Sequence, residues 1–133
     1  MELIQANEAI FEELQSFVTK NRSIDVRTLA NEGYVIRIPG KIIGCFVLEK
    51  QSFEDRWLKQ LFIEREEAAR LPYILEAILL LAREQQTRQV HVHSHQPALD
   101  ILLEALQFSP QESPASSGQT GEKIGNWWIY QVC

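Results

Sequence analysis

The stretch Leu58–Glu84, "LKQLFIEREEAARLPYILEAILLLARE", decides the fold. It opens as the end of a strand that begins within "SFEDRWLKQLFIE" after a polar break. It then passes through the charged turn "EREEAAR" and becomes a helix. Pro72 suits the first helical position, where the N–H it lacks has no intrahelical partner to lose. Ile74, Leu75, Ile78, Leu79 and Ala82 recur with helical spacing and make a broad apolar face. Leu80 and Leu81 widen that face, which predicts a deeply buried helix. A strand, a turn and a long buried helix form the first half of a crossover unit, and the next strand completes it with right-handed sense.

Outward from this stretch, the rest of the chain reads as follows. Downstream, "RQVHVHSH" is the returning strand, and Gln96-Pro97 starts another helix. On that helix Ala98, Ile101, Leu102, Ala105 and Leu106 follow the i, i+3, i+4, i+7, i+8 pattern of a buried face. "SPQESPASSGQTGE" (109–122) is a loop by its Ser, Pro and Gly content, with an additional short strand near Phe108–Gln111. "KIGNWWIYQVC" is a final aromatic strand. Upstream, "YVIRIPGKIIGCFVLEK" reads as a hairpin turned at Pro39-Gly40, because Pro cannot donate within a ladder. With the strand at 52–64 it makes a three-stranded antiparallel meander. "NRSIDVRTLANEG" (21–33) is a polar connector with room for one helical turn. Ile10, Phe11, Leu14, Phe17 and Val18 share one face of a first helix N-capped by Asn7, and "MELIQA" (1–6) is a short first strand. The fold class expected is α/β, an α+β mixed sheet with helices on both faces, in the order β-α-β-β-β-α-β-α-β(-β).

The length of 133 residues suits one domain, residues 1–133. A hydrophobic share of 45% allows a sizeable core, and the formal net charge of -5 argues against a nucleic acid or an anionic membrane surface as partner. The acidic, amphipathic N-terminus has no apolar signal region. The apolar cluster "YILEAILLLA" is too short to span a bilayer. These features predict a cytoplasmic protein with reduced thiols; a monomer and a homodimer are both open. The two cysteines, Cys45 and Cys133, make no zinc framework. Cys45 alternates with apolar residues and reads as a small core residue.

The order of elements and the run from Trp57 to Phe108 resemble the GNAT-type N-acetyltransferases. In that family a strand leads into a phosphate-cradling turn, Arg/Gln-x-x-Gly-x-Gly/Ala. A long helix follows, then a strand, then Asn-x-x-Ala-x-x-x-Tyr-x-x-x-Gly-Phe. The helix "ILEAILLLARE" and the ending "EALQF" carry most of the match. The resemblance implies acetyl-CoA as acyl donor and a small-molecule or peptide amine as acceptor, with direct acyl transfer. It implies backbone contacts to the pantetheine arm from Leu61, Phe62 and Ile63, where this strand parts from its neighbour near His93. Ala68, Ala69, Arg70 and Leu71 fall on the phosphate turn, and Gln96 falls on the Asn that opens the later helix. The pattern departs at Glu66 for Arg or Gln, at Ala69 and Leu71 for glycines, at Gln96 for Asn, at Leu103 for Tyr and at Gln107 for Gly. Glycines at a phosphate turn permit close approach of backbone to anion. Segment 64–70 carries three glutamates against two arginines, a sum of -3 + 2 = -1, which repels a diphosphate unless Arg70 faces it. The family's Tyr often protonates the leaving thiolate; Leu103 cannot, and Tyr73, Tyr130 or a histidine would have to replace it. A catalytically inactive GNAT-like binding or regulatory module with weakened CoA binding is the alternative.

The chain's three histidines, His91, His93 and His95, alternate along one strand. His91 and His95 lie about 13 Å apart on a straight strand. Three imidazoles so placed cannot meet on one zinc with Zn–N near 2.1 Å, and no metal is expected. His93 and His95 sit at the strand's carboxyl end, where ligands gather in α/β folds. Either is a candidate general base for an incoming ammonium. The plainer reading has all three lining a partly solvated face. Glu54 and Asp55 are weighed in the same way, as contacts to an acceptor amine or as a solvated turn. Trp127 and Trp128 point to opposite faces, one to the core and the other to a cleft or interface.

Overall fold

Pro39 and Gly40 turn the chain between β2 (Gly33–Ile38) and β3 (Lys41–Lys50), and Gly40 takes a φ of 90° that few other residues tolerate. The structure is a computed structural model and describes residues 1–9, 11–20, 26–111 and 126–132. The expectations for Ile10, residues 21–25, residues 112–122 of the loop, residues 123–125 of the final strand and Cys133 lie outside the described residues. The remaining elements are β1 (Glu2–Gln5), α1 (Phe11–Lys20), α2 (Val26–Glu32), β4 (Asp55–Ile63), α3 (Leu71–Glu84), β5 (Gln89–Ser94), α4 (Pro97–Ala105), β6 (Ser109–Gln111) and β7 (Asn126–Gln131). Short 3-10 turns occupy Ala6–Glu8 and Arg65–Arg70. The seven strands form a mixed sheet in the order β1-β2-β3-β4-β5-β7-β6, so the expected α/β class is present.

The chain divides into two compact units, Met1–Glu49 with Leu58–Ile78, and Lys50–Trp57 with Leu79–Cys133. In the first, β1 and β3 both pair antiparallel with β2. The Glu64 N–H donates to the Ile43 carbonyl at 2.8 Å and Lys59 pairs with Glu49 at 3.1 Å, so β4 runs back along β3. Ala6, Phe17, Leu29, Val35, Ile42 and Cys45 form a core on which Leu14, Val18 and Phe62 pack. Burial pushes the Cys45 thiol up to about 12, which makes it the inert core residue its surroundings suggest. Arg37 in β2 grips Glu13 of α1 through two nitrogens, at 2.8 and 3.2 Å. These hydrogen bonds hold the Glu13 carboxyl below its ordinary value.

Two local expectations change here. Asn7 lies inside the turn Ala6–Glu8 and does not cap α1. Residues 26–32 form a seven-residue helix, longer than the single turn expected. Its anchor is Leu29, which packs so tightly under Gly33 that a Cβ there would meet the Leu29 backbone and side chain.

In the second unit β5 and β6 both pair antiparallel with β7. On α4 the expected face is displaced. Ile101 is 72% exposed and Ala98 and Ala105 are exposed, while Leu103 is fully buried. Leu99, Leu102 and Leu106 flank it with partial burial. Leu80 on α3 is 60% exposed, so that helix is not buried all round.

Both helices end in the same device. Gln86 and Gln107 adopt left-handed φ values of 62° and 74°. Thr87 N–H bonds the Ala82 carbonyl at 3.0 Å, and Phe108 N–H bonds the Leu103 carbonyl at 2.9 Å. These are Schellman closures, normally made by glycine. A left-handed non-glycine residue costs about 1 kcal/mol. Gln107→Gly is therefore expected to raise stability by about 1 kcal/mol in a urea melt. An unchanged or lower midpoint would contradict the conformation of Gln107.

Candidate functional site

In the first unit the site region is the passage from β4 into α3. Gln60, in the middle of β4, has a φ of 51°. A left-handed residue inside a strand kinks it and takes groups out of the ladder, as at bulges, which recur beside functional sites. The Gln60 carbonyl accepts the Cys45 thiol at 3.8 Å. Leu61, Phe62 and Ile63 follow the kink and are all half-buried. Gly44 on β3 supports them from beneath: a Cβ there would collide with the Phe62 carbonyl oxygen and lie 2.8 Å from Ile63 Cδ1.

The turn beyond is less acidic in effect than its composition. Glu64 is 8% exposed and points inward, with Oε2 3.4 Å from Lys20 Nζ and Oε1 3.6 Å from Lys41 Nζ. Glu67 is engaged by Arg70 Nε at 2.6 Å. Counting the two lysines brings the segment's sum from -1 to -1 + 2 = +1. Ala68, Ala69 and Arg70 are exposed and Leu71 is half-buried. Arg70 therefore stands at the turn with half its side chain in solvent, but its Nε is already committed to Glu67. Pro72 falls one position later than expected, at the second residue of α3.

In the second unit the three histidines have different surroundings. His91 is buried, with Nδ1 2.8 Å from Gln111 Oε1 and Nε2 3.9 Å from Asp55 Oδ2. His93 opposes Trp127 across the β5–β7 ladder and stacks on its indole at 4.3 Å and 5°. His95 lies past the end of β5, exposed, with its ring 4.2 Å from that of His93. Trp57 adds a further ring 5.0 Å from Trp127. The structure thus brings His93 and His95 together and sets His91 in a different, buried environment. Glu54 meets Arg88 at 3.3 Å. Tyr73 is exposed, and Tyr130 packs on Phe108 at 5.0 Å. Both tryptophans are buried, which corrects the division of roles expected for them.

The buried Trp128 finds its hydrogen-bond partner in Asp100, which sequence reasoning passed over. The Trp128 indole N–H donates to Asp100 Oδ1 at 2.8 Å and the Asn126 amide donates to Oδ2 at 3.0 Å. Ser94, at the end of β5, accepts the Gln96 N–H at 3.3 Å and also hydrogen-bonds Asp100. This network holds the turn that carries His95 and Gln96; Gln96 itself is exposed and is the N-cap of α4 without a side-chain bond. Burial raises the Asp100 carboxyl, but the bonds from Trp128, Asn126 and Ser94 outweigh it and hold the group below its ordinary value. A depressed carboxyl stabilises the fold above its unfolded value of about 3.9, and the contribution disappears as pH falls through the folded value. Asp100→Ala, which leaves a buried indole donor unpaired, is expected to cost about 2 kcal/mol at pH 7. Melting curves against pH should show that difference closing below about pH 4; a constant difference would contradict the network.

Glu64, Lys20, Lys41 and Gln60 were also missed. Their partners lie far apart in sequence, and no local pattern marks them.

No family model matches the sequence, nor does any curated protein. Solved structures do. A GNAT-family acetyltransferase from Staphylococcus aureus Mu50 is similar over 99% of both chains, with 15% identity and a TM-score of 0.70. Tetrahymena GCN5 is similar over 100% of this chain and 97% of its own, with 11% identity and a TM-score of 0.73. A GNAT-family acetyltransferase from Elizabethkingia anophelis with acetyl-CoA bound is similar over 98% and 95%, with 14% identity and a TM-score of 0.67. No helix among the described residues is long and apolar enough to cross a membrane. The kinked fourth strand, the turn and the helix after it belong to a chain that has the fold of the GNAT acetyltransferases.

Proposed function

We propose that this protein is an acetyl-CoA-dependent N-acetyltransferase that moves the acetyl group directly to a small-molecule or peptide amine. The observation that carries the reading is the left-handed Gln60 in β4, which breaks the extended conformation of the strand immediately before Leu61, Phe62 and Ile63. Main-chain donors and acceptors do not depend on side-chain identity, so they survive the departures of the turn from the family pattern. The donor set also fits the phosphates. The turn begins without a side-chain cap, its alanines are exposed, and the lysines on Glu64 remove the net negative charge. Leu61, Phe62 and Ile63 would hold the pantetheine arm, and Ala68, Ala69, Arg70 and Leu71 the phosphate end. Coenzyme A supplies the acetyl group as an activated thioester.

The chain's own part is to orient the acceptor and take its proton. His93 is held by its stack on Trp127, and His95 stands beside it with one face in solvent. Either imidazole takes a proton from the incoming ammonium, and the free amine then attacks. With acetyl-CoA bound, the acyl group would pass to the amine as the C–S bond gives way to the C–N bond, and the second proton lost by the nitrogen would go to the departing thiolate.

The second reading, a binding module without transfer, is favoured by one observation. Leu103 is fully buried, so the position of the family's acid points into the core. Thiol release with a panel of amines separates the two. Release that requires both acetyl-CoA and an amine supports transfer. Release absent across the panel, with acetyl-CoA bound, would leave the binding module.

A further inference from the structure

The first unit contains a cleft of about 230 Å³ whose far end, Lys20, Lys41 and Glu64, adjoins the turn of the proposed transfer site. One wall is α1. Glu12, Ser16 and Lys20 recur there at i, i+4 and i+8 and form a polar stripe along the cleft. Phe17 adds an apolar patch, and Lys41 and Glu64 complete the far end.

The two ends have opposite character. At one end two ammonium groups, Lys20 and Lys41, share the single carboxylate of Glu64. That leaves one positive charge in excess, carried on side chains at least half exposed. Glu64 is nine-tenths buried, and its Oε1 has no hydrogen-bond partner among the described residues. At the other end Glu12 is exposed and has no ion-pair partner among the described residues. Glu13 is spent on Arg37. The lining is therefore close to neutral in sum but polarised along the helix, with a free carboxylate at one pole and surplus ammonium at the other. The poles are eight residues apart, about 12 Å along the axis.

We infer that this cleft binds a short zwitterion of dipeptide size, with its ammonium on Glu12 and its carboxylate between Lys20 and Lys41. An extended dipeptide spans about 7 Å between its charged ends. The Glu12 and Lys20 side chains close the remaining distance from the helix. Ser16, midway, offers a hydroxyl to the peptide amide, and Phe17 offers apolar contact to a side chain. A ligand carboxylate also gives the surplus lysine charge a partner without removing Glu64 from its own. Binding in the cleft needs neither cofactor nor turnover, so it can be measured in the absence of acetyl-CoA.

Titration calorimetry on the full chain tests it with three probes: L-alanyl-L-alanine, its N-acetyl form and its C-terminal amide. The free dipeptide is expected to bind with Kd below about 1 mM. Each blocked form should bind at least about tenfold more weakly, because each removes one charged end. Glu12→Gln, a change at an exposed position, should weaken the free dipeptide by a similar factor and leave the N-acetyl form unchanged. Equal binding of all three probes, no binding of the free dipeptide, or indifference to Glu12→Gln would overturn the inference.

Discussion

Gly44→Val is expected to destabilise the protein by about 3 kcal/mol, the upper part of the range for overpacking a filled site. Two effects oppose the loss. Valine favours a strand by up to about 1 kcal/mol, and losing a glycine removes about 0.5–1 kcal/mol of unfolded-chain entropy. Neither rescues the variant, because the first atom in the way is the Phe62 carbonyl oxygen, which is backbone and has no rotamer to move into. Relief requires β4 to shift just where Leu61, Phe62 and Ile63 follow the kink at Gln60. The variant should therefore lose cofactor affinity along with stability. Gly44→Ala should show the same two effects at about half the size. A melting midpoint within a degree or two of wild type, for either variant, would mean that β3 and β4 do not approach so closely.

The second large effect concerns the paired imidazoles. His93→Ala with His95→Ala should lower acetyl transfer by about 10²–10⁴-fold, the usual contribution of a positioned general base. His93 has a structural part too, since its stack on Trp127 is worth about 0.5–1.5 kcal/mol. His93→Phe separates the roles: it keeps a planar ring against the indole and removes the nitrogen. Combined with His95→Ala it should melt near wild type yet transfer as slowly as the double alanine variant. Imidazole added in solution should restore part of the alanine variant's rate. Full activity in the phenylalanine variant would take both histidines out of the chemistry.

How much of this was legible in the residues differs from element to element. The hairpin at Pro39-Gly40 and the strand–turn–helix passage at 58–84 were legible because turn chemistry and period are local signals. The buried face of α4 was not. "PALDILLEAL" supports two helical stripes of equal quality, Ala98-Ile101-Leu102-Ala105 and Leu99-Leu102-Leu103-Leu106. Periodicity alone cannot choose between them. The structure takes the second, which buries more leucine and turns Asp100 toward Trp128 and Asn126. The helix at 26–32 was hidden for a related reason: it is short, polar, and fixed by the contact of Leu29 with Gly33 rather than by propensity. At the candidate site the sequence counted Glu64 as a charge against the cofactor. Its neutralisation by Lys20 and Lys41 depends on residues 44 and 23 positions away, which no motif records.

The left-handed Gln60 is a feature of β4 that no side-chain motif records. The turn carries no glycine, yet the left-handed backbone within β4 is a property of conformation and is present with a glutamine. A glutamine also holds the left-handed conformation at Gln107, where the family pattern has Gly, at an energetic cost.

The most direct test is a calorimetric titration of the purified protein with acetyl-CoA, paired with melting curves at rising cofactor concentration. The account predicts a saturable binding heat and a rising midpoint, with about 2.7 kcal/mol of added stability once the cofactor exceeds its Kd a hundredfold. No heat and no midpoint shift at millimolar acetyl-CoA would contradict it.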